Sequence, residues 1–364
     1  MIKPAPPSDP FHPARGRGAR SNTAGRFEPY LREAVADGWN SEEEADLPPI
    51  RTEVAVEKPR RVLTRNTSPD LSFDRSVNPY RGCEHGCTYC FARPSHAYLG
   101  LSPGLDFETR LTAKPTAPER LRAELSARGY TPKSIAIGTN TDPYQPIEKS
   151  WRIMRGLLEV LAEFQHPVTI VTKGTLIERD LDILGPMAAK GLVRVGVSVT
   201  TLDPKLSRLM EPRVPAPARR LRMIEALSQA GVPVRVCASP MVPGLTDHEL
   251  EAILSAGQAA GAIAASFIPL RLPGEVRDIF YDWLQTHLPG KAAKVMGQVR
   301  EIRGGKDNDA EFGSRMRGTG PAAQLLAHRY AIATKRLGLR RELPALRDDL
   351  FAVPRAPDGQ LCLF

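Results

Sequence analysis

The 364-residue chain has little aromatic content (6%), and it has no apolar run near the ~20 residues that cross a bilayer as a helix. A membrane-spanning helix is therefore not expected. Five cysteines, three of them within one short loop, are not the spread, paired framework of a disulfide-stapled domain. No basic-then-apolar leader opens the sequence; residues 1–20 are rich in Pro, Gly and Arg, so the expectation is a protein of the reducing cytoplasm. A phosphate-binding loop is missing too, because Gly304-Gly-Lys306 lacks the second half of that motif. What remains is 41% hydrophobic and 25% charged, a globular composition with enough apolar residues for a substantial core. Proline is abundant at 34 residues, and the net charge is +9.

That charge is unevenly placed. Residues 291–342 hold twelve Lys and Arg against five Asp and Glu, so 12 − 5 = +7 lies in this one segment. Such a stretch either tracks the phosphates of a nucleic acid or forms a solvated helical face. Residues 1–60 carry prolines, glycines and an acidic run at Ser41-Glu-Glu-Glu-Ala-Asp46 without apolar periodicity, and are expected to be mostly disordered. From residue 71 the pattern changes. Strands are expected at 71–78, 134–138, 167–172, 192–200, 232–237 and 264–270, with helices at 116–128, 151–164, 178–189, 217–230 and 246–260 between them. The last helix is expected to open on a capping box, Thr246 with Glu249. Strand–helix alternation with short links implies parallel strands and right-handed crossovers. About six units are too few for a closed eight-stranded barrel. The expected architecture is α/β, a partial (β/α)6 TIM-like barrel over residues 61–290. A basic extension and tail, 291–364, is expected to cover its open side and to govern substrate choice.

The chain is organised around Asn78-Pro-Tyr-Arg-Gly-Cys-Glu-His-Gly-Cys-Thr-Tyr-Cys-Phe-Ala-Arg93. Cys83, Cys87 and Cys90 stand in C-x-x-x-C-x-x-C spacing, and thiolates suit iron–sulfur clusters or zinc. A cubane cluster held by cysteine alone takes four; three leave one iron open, as catalytic metal sites leave a position open. The alternative is a structural zinc completed by His85 or His96. Tyr89 offers a flat apolar face beside the metal. In parallel α/β folds, polar residues just after a strand face the site. This nominates Asn140, Thr141, Asp142 and Tyr144 after the second strand, Lys173 after the third, and Ser198, Thr200 and Thr201 after the fourth. Each has a plainer reading: turn chemistry for the first group, an exposed lysine, and strand packing. Cys237 ends the fifth strand, where a free cysteine is commonly just buried. Arg213, Arg219 and Arg220 are either contacts for an anionic substrate or solvated arginines.

The cysteine loop resembles the signature of the radical S-adenosylmethionine (radical SAM) superfamily. The resemblance implies a [4Fe–4S] cluster on Cys83, Cys87 and Cys90, with SAM chelating the open iron. Reduction of the cluster would then release a 5′-deoxyadenosyl radical that abstracts hydrogen from a substrate. It further implies an external electron donor of the flavodoxin or ferredoxin type. Tyr89, Asn140, Thr141, Asp142, Lys173, Ser198 and Thr200 become candidate SAM contacts, Lys173 for its carboxylate. Further segments resemble the spore photoproduct lyase-like branch: Thr141-Asp-Pro-Tyr-Gln-Pro146 with Glu148, Thr172-Lys-Gly-Thr-Leu-Ile-Glu-Arg-Asp180, Glu211-Pro-Arg213 and Pro240-Met-Val-Pro-Gly-Leu-Thr-Asp247. The likeness spans residues 71–270. One departure stands out: those lyases use a hydrogen-donor cysteine near the second strand, and residues 135–146 contain none. Cys237 and Tyr144 are then the candidate catalytic residues. The branch and the basic segment point to a nucleic acid or nucleotide as substrate. The missing cysteine points instead to a protein or small molecule. A metal-binding module without turnover is the third possibility.

Overall fold

The computed structural model describes residues 16–28 and 50–354. Ten strands occur among them: β1 (Glu53–Val56), β2 (Thr64–Arg65), β3 (Arg75–Val77), β4 (Tyr80–Arg81), β5 (Arg110–Ala113), β6 (Ile135–Ile137), β7 (Val168–Thr172), β8 (Val193–Ser198), β9 (Val234–Met241) and β10 (Ala264–Pro269). The larger sheet runs β10-β9-β8-β7-β6-β3-β2. Its strands β3 and β6 to β10 pair in parallel, and β2 is antiparallel at the edge. Six parallel strands with intervening helices form the expected partial TIM-like barrel.

The two faces of this sheet differ chemically. Ile135, Ile137, Val168, Ile170, Val195, Val197, Val234 and Val236 are fully buried against helical residues such as Leu157, Leu161, Leu184, Met223, Leu227 and Leu254. The alternate positions point the other way, as the two-residue strand period requires. They include Thr169, Val171, Arg194, Gly196, Arg235, Cys237 and Ser266. Val171 is 38% exposed although it lies mid-sheet. A polar, partly open inner face is what an incomplete barrel leaves.

Three expectations are revised. The first strand is shorter than 71–78, because Asn66 folds the preceding loop back with its side chain accepting from Ser68 N at 2.9 Å. Thr246 and Glu249 do not form a capping box. Glu249 accepts instead from Leu202 N and Thr201 Oγ1, and Thr246 Oγ1 accepts from Val242 N, so the helix proper is Leu250–Ala259. Residues 16–28 are not a loose lead: Arg17, Gly18 and Ala19 are buried against the body. β1 adds to a second, three-stranded sheet, β1-β5-β4, that flanks the cysteine loop.

The C-terminal extension divides. The helices Val276–His287 and Pro289–Glu301 pack beside the cysteine loop, with Phe280, Trp283, Val295 and Val299 in one apolar cluster with Cys87 and Tyr89. The helix Gly320–Leu337 instead lies on Leu250–Ala259 and β10. The chain then crosses the N-terminal strand ends: Arg340 N bonds to Ile263 O, Arg347 N to Gly191 O and Ala352 N to Phe164 O. Residues 339–352 therefore cover the end opposite the strand-end loops, not the open side expected for them. Residues 355–364, with Cys362, lie outside the described residues.

Phe351 is anchored there among Tyr130, Phe164 and His166. The His166 ring is fully buried, with Nδ1 2.9 Å from Pro167 O and Nε2 2.8 Å from the Tyr130 hydroxyl. A carbonyl only accepts, so Nδ1 carries the proton and Nε2 accepts from Tyr130. Burial outweighs the Pro167 bond, Arg75 adds to it, and the pKa falls to about 4. An unfolded histidine titrates near ~6.5. Between these values the unfolded chain binds a proton that the folded one refuses, so stability rises with pH across this window, by on the order of 3 kcal/mol. The urea midpoint should fall as pH is lowered from 6.5 to 4, and less steeply in His166→Gln. Equal slopes in both proteins would contradict this.

Candidate metal centre

The cysteine loop leaves β3 and is held at its base by backbone geometry. Gly82 and Gly86 have φ of +74° and +65°, in the region that favours glycine. A Cβ on Gly82 would stand 2.6 Å from Leu111 Cδ2 and 2.8 Å from Phe107 O. Cys83 N donates to Phe107 O (2.9 Å), Cys90 N to Cys87 O (3.2 Å) and Thr88 N to Met210 O (3.0 Å). Cys83 and Cys87 are buried, Cys90 is half-buried, and all three are free thiols.

These thiols sense one another. Burial pushes Cys83 well up, with Asp142, Cys87 and Cys90 adding to it. Burial likewise raises Cys87 to about 12, Lys173 opposing and Glu211 and Cys90 reinforcing. Three neighbouring thiolates are thus unfavourable unless a positive group sits among them, which is what a metal cluster supplies. The two histidines considered as a fourth zinc ligand each have one ring nitrogen placed, and His96 Nδ1 has no hydrogen-bond partner among the described residues. His85 Nδ1 faces Asp142 Oδ2 at 3.3 Å, and His96 Nε2 is 2.9 Å from Arg110 O. Three cysteines with no fourth beside them among the described residues suit a cluster that keeps one iron open.

Around Tyr89 lies a buried polar network. Its hydroxyl donates to Glu211 and lies 3.1 Å from Thr200 Oγ1, which donates to Glu211 at 2.8 Å. The opposite carboxylate oxygen receives Arg220 Nη2 at 2.7 Å, and Arg220 also donates to Ser198 O and Ser207 Oγ. Burial would raise the Glu211 pKa, but Arg220 and then Lys173 bring it below its ordinary value. Arg220 is therefore not a solvated arginine. Arg219 pairs with Glu178, and Arg213 lies 3.3 Å from Glu84. Lys173 Nζ sits 5.8 Å from the Tyr89 ring centroid and makes no hydrogen bond to a described residue. Burial works against its charge, yet Cys87, Glu211, Asp142 and Cys90 raise its pKa.

The polar loop after β6 takes a different part from the one expected. Thr141 Oγ1 donates to Gly82 O (2.6 Å), and Gln145 holds Glu84 N through its carbonyl (2.8 Å). Asp142 accepts from Tyr144 N, Thr172 Oγ1 and Lys173 N, besides facing His85. Burial would raise its pKa, but His85 and these bonds bring it to about 2. Thr141 and Asp142 are consumed in bracing the loop, and their groups are not left free for a ligand. Asn140 contacts Asn78 and Ser95. Tyr144 is turned into the main core at 1% exposure, its hydroxyl toward Asp180 and Glu148; the Asp142 turn directs it away from the thiols. Cys237 lies on the inner sheet face, its Sγ 3.2 Å from where a Gly196 Cβ would be, with Ser266, Arg235 and Lys173 acting on it.

Sequence reasoning missed Arg93 and Glu108. Arg93 is fully buried and donates to the carbonyls of Gly86, Cys87, Pro103 and Gly104. Its charge meets Glu108 Oε1 at 2.5 Å, and the same carboxylate accepts Gly18 N and Ala19 N at 2.8 Å each. A Cβ on Gly18 would come 1.7 Å from Gly86 O, so the N-terminal strap closes directly on the metal loop. The Arg closing the loop signature was the one sequence clue; nothing local marks Glu108 or Gly18.

Fold and site together define a partial-barrel enzyme with a three-cysteine loop at its strand ends. Residues 77–256 match the family model described as the radical SAM superfamily. The chain is 42% identical over 234 residues to an uncharacterised protein of Mycobacterium bovis, covering 64% of this chain and 68% of that one. A protein of Methanocaldococcus jannaschii is 24% identical over 173 residues, 48% of this chain and 62% of its own. Among solved structures, a spore photoproduct lyase complexed with dinucleoside spore photoproduct superposes with a TM-score of 0.57 at 15% identity, covering 79% and 81% of the two chains. The chain belongs to the radical SAM superfamily, and its fold is that of the spore photoproduct lyases. Membership implies a [4Fe–4S] cluster and SAM.

Breaking a buried charge pair costs about 3–5 kcal/mol. Glu108→Gln should therefore lower the melting temperature and reduce the iron retained per chain after anaerobic reconstitution. Full iron retention with an unchanged melting temperature would show that the strap does not brace the loop.

Proposed function

We propose that Cys83, Cys87 and Cys90 hold the [4Fe–4S] cluster and leave one iron for the methionine part of SAM. The bound pair supplies a 5′-deoxyadenosyl radical for hydrogen abstraction. The observation that carries this reading is the Lys173 ammonium. It is half-buried and cationic, and it lies beside Tyr89 and the three thiols with no acceptor of its own. That is a receptor for the SAM carboxylate. Tyr89, fixed by Glu211 and Thr200, gives the same space a rigid wall. Asn140, Ser198 and Thr200, at or just after neighbouring strand ends, are the further candidate contacts. Arg93 orients the Cys87 and Gly86 carbonyls, and the strap excludes water from behind the loop.

Cys237 is the candidate hydrogen donor. Burial keeps its pKa above the ordinary thiol value, so it remains S–H at neutral pH, the form that hydrogen-atom transfer needs. In Cys237→Ala the substrate radical should go to products other than the hydrogen-returned one, read by mass spectrometry. An unchanged product spectrum would remove Cys237 from the chemistry.

The substrate favoured is a nucleic acid or nucleotide, supported by the lyase fold and by the net positive charge of residues 291–342, which the fold spreads over more than one face. The absence of a cysteine from residues 135–146 favours the second reading, a protein or small molecule. Cytoplasmic location and a flavodoxin- or ferredoxin-type reductant accord with low-potential cluster chemistry.

Two measurements test these assignments. With dithionite and SAM the reconstituted protein should release 5′-deoxyadenosine. Lys173→Met should retain its iron but bind SAM at least about tenfold more weakly, the scale of one charge-assisted hydrogen bond. Unchanged SAM affinity would reject Lys173 as the carboxylate partner. For the substrate, DNA affinity should fall steeply with salt; no binding at low salt would reject the nucleic-acid reading.

A further inference from the structure

Arg271 follows β10 directly, at the strand end that carries the other site loops. Leu270 and Leu272 on either side of it are buried in the large apolar cluster that also takes in Cys87 and Tyr89. Its guanidinium is half-buried and poorly partnered. Nε is shut from solvent without a hydrogen bond, and Nη1 reaches the Met316 thioether at 3.2 Å, a weak acceptor.

Two more guanidiniums crowd it. Arg315 is tied to Asp70 at 2.5 Å and Ser68 at 2.7 Å. Arg303, 2% exposed, spends its donors on the carbonyls of Pro269, Leu270, Ser314 and Arg315. The nearby carboxylates are Asp70 and Asp309, and Asp309 is occupied by Glu311 N and Ser314 Oγ. Three cations thus share two anions, and the surplus falls on Arg271. Burial and then Arg315 lower its pKa; burial and then Arg271 lower that of Arg303 to about 10. Such an excess is costly unless an anion completes it. The Phe312 ring beyond Arg315 is 60% exposed, with the Arg315 guanidinium 4.4 Å over one face and the other face open to a partner. A flat exposed ring in the same cluster as an underpartnered guanidinium is a stacking platform next to a phosphate receptor.

We propose that Arg271, with Phe312, is a binding site for a phosphate carrying a nucleobase: the phosphate on Arg271, the base against Phe312. This rests on the nucleic-acid reading above and gives it a location. The basic segment does not act as one uniform face, since Arg300, Arg315 and Arg329 are already paired with Asp307, Asp70 and Glu251.

The test is fluorescence anisotropy of a labelled ten-nucleotide single-stranded DNA, and calorimetry of a nucleoside monophosphate, on the cluster-loaded full chain. Arg271→Ala should weaken DNA binding roughly tenfold and reduce the salt slope by about one. Phe312→Ala should weaken it with the slope unchanged, and the exposed Arg128→Ala should do neither. Arg271→Lys, which keeps the charge without the fork, should fall between and guards against a folding defect. If the native protein binds DNA and both Arg271 variants match it, the site is overturned while the nucleic-acid reading stands. Arg271-dependent binding of the mononucleotide without DNA binding keeps the phosphate site and removes a strand as its source. No binding of either overturns both.

Discussion

Three neighbouring thiols, two of them buried, cannot all ionise readily unless positive charge lies near them. That constraint sets the architecture around the loop. Burial and mutual repulsion raise Cys83 and Cys87, and the fold adds Lys173 close by but leaves its ammonium without an acceptor. The protein has thus built a site favourable to a cationic group bound through sulfur.

Holding such a loop takes more than its own glycines. Support comes from three directions, each ending in a buried charge. Arg93 and Glu108 tie it to the N-terminal strap, Asp142 links it through His85 to the end of β7, and Glu211 with Arg220 fixes Tyr89 from the end of β8. Buried pairs of this kind add little net stability against apolar replacements but are severe to break. Their value here is positional: they fix thiols and ring against a substrate and cofactor that come and go.

The barrel and the metal loop were legible in the sequence because both are local patterns. Alternating apolar runs report strand and helix periods, and the cysteine spacing states its chemistry directly. The braces were not, because they join residues far apart in the chain, such as Gly18 to Glu108 or Tyr89 to Glu211. The polar residues that follow the strands divide in what their side chains do. Lys173 keeps a free ammonium, whereas Thr141 and Asp142 spend theirs on backbone and Tyr144 turns into the core. Sequence says which side chains reach the strand ends; only packing says which are already satisfied. The capping-box expectation at Thr246 failed for the same reason, since Glu249 was claimed by the loop after β8.

The central claim is that three cysteines hold a cluster with one iron open to SAM. Electron paramagnetic resonance of the anaerobically reconstituted, reduced protein tests it most directly, recorded with and without SAM. The account predicts a [4Fe–4S] signal that changes when SAM is added, and its loss in Cys87→Ala. A cluster signal indifferent to SAM, or a protein that purifies with zinc and assembles no cluster, would contradict it.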